Sequence, residues 1–261
     1  MNEVNKKRLD ALLFEKGLVE TKSKAVYLIK AGLVKVNGKI IQKPGKLINL
    51  NSKIEIVNEN VFYVSRAGEK LAFALKKFGI DVNNKICLDV GSSTGGFVDC
   101  LLRSGAKLVY AVDVGENQLD LSLKNNKKVK SFEKTDIRKF SLPSKRKVDL
   151  VTIDVSFISV NLILPAIKKF LSPKTDIIVL IKPQFEVGKK NLNKKGVVKN
   201  FISIKEAIKK IIQNAMSLNL YPKGLILSPI KGKKGNQEFL LYLKEGCLKD
   251  VDKERIINQI I

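Results

Sequence analysis

Between Leu88 and Phe97 the chain reads LDVGSSTGGF, a run of small residues between an apolar segment ending near Val90 and a helix-like segment starting near Gly95. A turn without bulky side chains lets the backbone approach a ligand at the carboxyl edge of a parallel sheet. The next apolar run ends in an acid, Asp113, about 24 residues after Asp89, where a carboxylate can accept hydrogen bonds from a ribose diol. A third run, VKSFEKTD, is expected to end at Asp136, placed to contact an adenine edge. The implied ligand is an adenosine-containing cofactor. The turn is not G-x-G-x-x-G, and an acid after the second strand also fits NAD, so spacing alone does not separate a dehydrogenase from a methyltransferase.

The rest of the composition narrows the chemistry. There is no His, so the commonest general base is absent and proton transfer falls to other side chains. The three cysteines, Cys87, Cys100 and Cys247, are odd in number and lack C-x-x-C spacing. Neither a disulfide framework nor a zinc site is suggested, no metal is expected, and a reducing cytoplasm fits. The N-terminus MNEVNKKRLD has no apolar signal region, and no stretch approaches the roughly 18 apolar residues of a membrane helix, so a soluble protein without a membrane partner is expected. Forty-nine Lys and Arg against 25 Asp and Glu give a formal charge of +24, which favours a polyanion such as nucleic acid. Only six of the 49 are Arg, so a general lysine bias supplies part of that excess.

These residues need a frame, and the pattern predicts two domains: residues 1–58, a linker over 59–63, and residues 64–261. In the first, Leu9, Leu12, Leu13 and Leu18 lie near helical spacing with Gly17 as a stop, and Thr21 can cap a second helix with Ala25, Leu28 and Ile29 on its apolar face. Asn37-Gly38 between two β-prone runs signals a type I′ hairpin, and a strand over Lys53–Val57 closes the unit. In the second, Leu71, Ala74, Leu75 and Phe78 mark a helix with Lys70 in its first turns. Then KICLDVG, KLVYAVDVG, VKSFEKTD, VDLVTIDVS and DIIVLIKP alternate with loop or helix, the signature of a mostly parallel α/β sheet. A helix over about 203–218 and a hairpin from LILSPI and EFLLYL end the pattern, and GKKNLNKKGVVKN (188–200) reads as a mobile basic loop.

The helix–helix–hairpin order with R-L-D-x-L-L and G-L-V-x-V-N-G resembles the S4 RNA-binding domain. The resemblance implies a basic platform for structured RNA using Arg8, Lys22, Ser23 and Lys24. DVGSSTGGF, followed in order by VDVG, TDIR, IDVSF and IKPQFE, resembles the FtsJ-like methyltransferases, and an S4 unit ahead of SRAGEKL is similar to the TlyA family, some of whose members carry an older hemolysin label. That resemblance implies a Rossmann-like class I fold and S-adenosylmethionine-dependent 2′-O-methylation of cytidine in ribosomal RNA or ribosomal subunits. It places Asp89, Gly91, Ser92, Ser93, Thr94, Gly95, Gly96, Phe97, Asp113 and Asp136 around the cofactor, and a Lys-Asp-Lys-Glu set at Lys70, Asp154, Lys182 and Glu238. Gly95 and Gly96 can instead serve helix packing, and Asp89 a turn. Lys182 is the candidate proton acceptor, with stabilisation of a developing alkoxide as the alternative. A non-catalytic RNA-binding factor and, more remotely, a membrane-active protein are the rival readings.

Overall fold

The computed structural model describes residues 5–19, 21–30, 32–57, 63–143 and 147–246. Cys247, residues 59–62 of the expected linker, the tail to residue 261 and the side chain of Ser23 lie outside the described residues. The chain divides into two compact units, Met1–Arg66 and Ala67–Ile261.

The first unit runs β1 (Lys6–Arg8), α1 (Leu9–Glu15), α2 (Lys22–Lys30), β2 (Val34–Val36), β3 (Lys39–Ile40), β4 (Leu47–Asn49) and β5 (Ile54–Ile56). Leu9, Leu12, Leu13, Ala25, Leu28 and Ile29 from the helices bury against Val34, Val36 and Ile48. Leu18 lies past Gly17, whose φ of 67° turns the chain out of α1, and it is partly exposed rather than in this core. Thr21 Oγ1 accepts the Lys24 N–H at 3.1 Å and so caps α2. Asn37 and Gly38 have φ of 49° and 79°, the paired positive values of a type I′ turn. Asn37 Oδ1 also accepts the Lys53 N–H at 2.9 Å, which fixes the loop entering β5. The pairing of β1 with β4 (Lys6↔Asn49 to Arg8↔Leu47) is an addition to the sequence pattern.

The second unit is one seven-stranded sheet. Its elements are α3 (Ala67–Phe78), β6 (Ile86–Val90), α4 (Gly96–Arg103), β7 (Leu108–Val112), α5 (Leu121–Lys124), β8 (Val129–Phe132), β9 (Leu150–Ile153), α6 (Leu164–Ile167), β10 (Asp176–Ile181), α7 (Phe201–Ser217), β11 (Leu220–Leu227) and β12 (Phe239–Glu245). The spatial order is β11-β12-β10-β9-β6-β7-β8, with β12 antiparallel to both neighbours and β6 to β10 mutually parallel. Every residue of β9 and β10 is buried, as expected of central parallel strands covered on both faces. The strand order reverses between β6 and β9, which opens a crevice at their carboxyl ends.

Two expectations change in detail. β8 ends at Phe132, not at Asp136: Lys134 turns at φ 52°, and the Lys134 and Thr135 N–H groups bond to the carbonyls of Gly115 and Asp113. The chain therefore leaves the ladder and folds over the turn that follows β7, carrying Asp136 on a loop. Residues 188–200, read as a mobile basic loop, contain a bonded turn, in which Asn193 Oδ1 accepts the Lys195 and Val197 N–H groups at 2.9 Å and Leu192 bridges to Val198.

Candidate active site

The turn after β6 is pressed against the chain after β9. Gly91 has φ of 83°, and a Cβ there would lie 2.6 Å from the Asp154 carbonyl oxygen, so a glycine is required by both conformation and space. Its neighbour Ser93 (φ 45°) gives its N–H to Asp113 Oδ2 at 2.8 Å, while Asp113 Oδ1 accepts the Gly115 N–H at 2.7 Å. Asp113 thus ties the turns after β6 and β7 together and keeps spare lone pairs facing the crevice.

Here a cavity of about 450 Å³ is lined by Gly91, Ser93, Asp113, Val114, Gly115 and Gln118 on one side and by Asp136, Ile137, Arg138 and Asp154–Ile158 on the other. Its charged lining is three carboxylates and one guanidinium, and Arg138 is already paired to Asp136 at 2.6 Å. That pairing holds the Asp136 carboxyl down at about 2. With Asp136 paired to Arg138 and Asp154 to Lys182, the Asp113 carboxylate leaves the pocket one net negative charge, which suits a cationic sulfonium.

Asp89 lies beneath this crevice, fully buried, and takes the Thr152 hydroxyl on Oδ1 at 2.6 Å while Oδ2 has no partner. Burial, reinforced by the nearby Asp154 and Asp113 charges and partly offset by Thr152, raises its carboxyl to about 7. Ser92, Gly95, Gly96 and Phe97 are buried, Thr94 is exposed, and none of the five lines the cavity. At Gly95 (φ 93°) a Cβ would strike Leu119 and Leu123 at 2.7 and 2.3 Å, so this glycine permits close packing at the start of α4.

Two Lys–carboxylate pairs stand on the same sheet edge. Asp154 follows β9, Lys182 follows β10 and Glu238 precedes β12; because Ile181 pairs with Phe239, Lys182 and Glu238 continue adjacent positions across the antiparallel ladder. Lys182 Nζ lies 2.6 Å from Asp154 Oδ1 and donates to Ser156 Oγ at 2.8 Å. Lys70, brought in by the first turn of α3, is 8% exposed and donates to Glu238 Oε2 at 2.5 Å; Glu238 is 2% exposed. A Cβ on Gly232 would sit 2.5 Å from Glu238 Oε1, so that carboxylate is enclosed on its other side.

The site also contains residues that sequence reasoning passed over. Ser156 and Phe157 stand inside IDVSF, and Phe185 and Glu186 inside IKPQFE, motifs quoted only as markers of resemblance. Phe157 is 91% exposed at φ 66°, beside the cavity, with the Phe185 ring 5.1 Å away. Glu186 accepts the Ser159 hydroxyl at 2.6 Å and the Val160 N–H at 2.8 Å, clamping the segment after β9 to the segment after β10. Gln118 and Arg138 follow their strands by too many residues for strand-end reasoning to reach them.

In the first unit, Lys22 is exposed and Lys24 half-buried. Arg8 forms a two-pronged pair with Asp10 at 2.6 and 3.0 Å, which holds the Asp10 carboxyl below its usual range.

A sheet with a single antiparallel strand next to its edge, an acidic pocket at the switch point and paired lysines beside it define a class I methyltransferase. Comparison with known proteins agrees. The FtsJ-like methyltransferase family matches residues 63–245 and the S4 domain family residues 7–54. The 16S/23S rRNA (cytidine-2′-O)-methyltransferase TlyA of Mycobacterium tuberculosis is 38% identical over 91% of this chain and 89% of its own. The 23S rRNA (cytidine-2′-O)-methyltransferase TlyA of Campylobacter jejuni is 46% identical over 73% of each. A solved structure from Streptococcus thermophilus, 38% identical, covers 98% of this chain and 95% of its own with a TM-score of 0.74. The chain belongs to the TlyA family, in which an S4 domain precedes an FtsJ-like, S-adenosylmethionine-dependent methyltransferase domain.

Proposed function

We propose that this protein transfers a methyl group to the ribose 2′-hydroxyl of a cytidine in ribosomal RNA, working in the cytoplasm with its S4 domain anchoring the RNA. The observation that carries this reading is the junction of an acid-lined cofactor pocket with the Lys182–Asp154 pair on one sheet edge. When bound, S-adenosylmethionine supplies a methyl group on a positively charged sulfur, ready for in-line displacement.

Each part of the site has work to do. Asp113, held by the Ser93 N–H, would take the ribose diol, and Asp136, oriented by Arg138, would take the adenine edge. The turn Gly91–Gly96 keeps the backbone close and small. The exposed Phe157 offers a face on which an unstacked base can lie, which a ribosomal nucleotide needs if its 2′-oxygen is to reach the pocket. A 2′-hydroxyl is a weak nucleophile, so alignment and handling of its proton set the rate. Lys182 gives a hydrogen bond to Ser156 Oγ and has the Asp154 carboxylate beside it as counter-charge, which leaves room on Nζ for the 2′-oxygen. There it either accepts the proton as a neutral amine or stabilises the developing oxyanion as an ammonium. Lys70 and Glu238 set the charge and position of the neighbouring strand end.

The decisive experiment maps ribose methylation on ribosomal RNA from cells with and without this gene. Purified protein with labelled cofactor and ribosomal subunits should then restore the missing mark. Identical methylation maps in the two strains, with no transfer in vitro, would overturn the reading.

A further inference from the structure

Two loops near the active edge carry positive charge that no acid among the described residues answers. Residues 188–200 hold five lysines and no acid, and residues 229–237 hold three lysines and no acid. All eight lysines are exposed, and among the described residues none forms an ion pair, whereas Lys85, Lys124, Lys168 and Lys244 elsewhere in the same domain each meet a carboxylate. A general lysine bias would scatter such residues among acids; here the acids are missing from both loops.

The loops are also fastened to each other. Asn236, 3% exposed, accepts the Val198 N–H at 2.9 Å through Oδ1 and donates through Nδ2 to the Gly196 carbonyl at 3.0 Å. Lys234 lies along Gly196, where a Cβ would come within 3.4 Å of its Nζ. A buried amide therefore holds two like-charged loops side by side, an arrangement that costs free energy through mutual repulsion and is relieved by a polyanion. Both loops connect to the site: the first follows the Lys182–Glu186 segment, and the second leads directly into Glu238.

We propose that these two loops form one phosphate-binding surface of the methyltransferase domain, gripping the RNA backbone that flanks the methylated nucleotide. This rests on the RNA-methylating function proposed above and adds a second anchor, distinct from the S4 domain. An RNA backbone suits the surface better than an anionic membrane, because the exposed large apolar side chains nearby, Phe201, Ile202 and Leu227, lie outside the two loops and the loops themselves present lysines.

The test uses the full-length protein with Lys194, Lys195, Lys233 and Lys234 all changed to Gln. These side chains touch neither the cofactor pocket nor the Lys–carboxylate pairs. The variant should bind S-adenosylmethionine as the wild type does, with kcat within about twofold. Its KM for ribosomal subunits should rise about tenfold or more, and the slope of log affinity against log salt should become shallower by about 2–4, roughly one per lysine in contact with a phosphate. Wild-type protein that methylates its substrate, together with a variant of unchanged KM and salt slope, would overturn this surface while leaving the proposed function standing. Wild-type protein that methylates no ribosomal RNA would instead remove the function on which it rests. Loss of binding to phosphatidylglycerol vesicles with RNA affinity unchanged would also overturn the proposal, in favour of a membrane contact.

Discussion

Replacing Asp89 by Asn should change how stability depends on pH more than it changes stability itself. The Asp89 carboxyl is buried without a partner on Oδ2, and its burial raises it from an ordinary 3.8 to about 7. Below about pH 4 the folded and unfolded chains both hold this proton. As pH rises toward about 7 the unfolded chain releases it while the folded chain keeps it, so the stability contributed by the protonated form is progressively lost, and above about 7 the loss levels off. The full span corresponds to about 4 kcal/mol, more than half of which falls between pH 5 and pH 8. Asn retains the acceptor for Thr152 and cannot ionise. It also places an unpartnered N–H₂ where Oδ2 stood, a cost of about 1–3 kcal/mol that does not vary with pH. The diagnostic is therefore the difference between wild type and Asp89→Asn, measured by urea unfolding at several pH values, in which contributions from the other titrating groups cancel. The difference should move in favour of the Asn variant by roughly 2–3 kcal/mol from pH 5 to pH 8. A difference that stays flat within about 0.5 kcal/mol would show that Asp89 does not titrate in this range and would refute the argument from burial.

Three further outcomes are expected. Lys182→Ala should reduce single-turnover methylation by about 10²–10⁴ while cofactor binding by calorimetry is retained; an equally inactive Lys182→Arg would favour proton acceptance, and an active one would favour oxyanion stabilisation. Gly91→Ala forces a side chain into a left-handed conformation and against the Asp154 carbonyl, so it should lose about 2 kcal/mol or more of stability and weaken S-adenosylmethionine binding about tenfold, measured by unfolding and calorimetry. Lys22→Ala with Lys24→Ala should lower RNA affinity and make its salt slope shallower by about 1–2 without altering cofactor affinity.

Much of the fold is legible in the sequence because its signals are local. Asn37-Gly38 specifies a turn on its own, and the short β-branched-rich runs of β9 and β10, broken only by Thr152 and opened by Asp176, read as buried strands. The pairing of β1 with β4 is invisible for the opposite reason: Lys6–Arg8 is exposed and basic, and its partner lies some forty residues away, so no local pattern announces it. The same distinction divides the site. Asp154 and Lys182 end strong strands and can be located by counting, whereas Asp136 sits on a loop whose course is set by bonds to Gly115 and Asp113. Gly95 shares a motif with Gly91, yet its neighbours are Leu119 and Leu123, a fact that depends on where α5 packs. Ser156, Phe157 and Glu186 are ordinary residue types in a sequence; partners and exposure give them their interest.

The reversed direction of β12 has a consequence in time. A residue at the start of a strand reaches the carboxyl edge of parallel neighbours only if its strand runs the other way, and Glu238 meets Lys70 on that basis. β12 also lies between β10 and β11, so the last strand among the described residues is inserted into the interior of the sheet rather than added at its margin. A ribosome that has made residues 1–230 carries an S4 unit with a complete core of its own and a catalytic sheet with a gap. During synthesis the S4 unit can therefore complete its core before the catalytic sheet can close around β12.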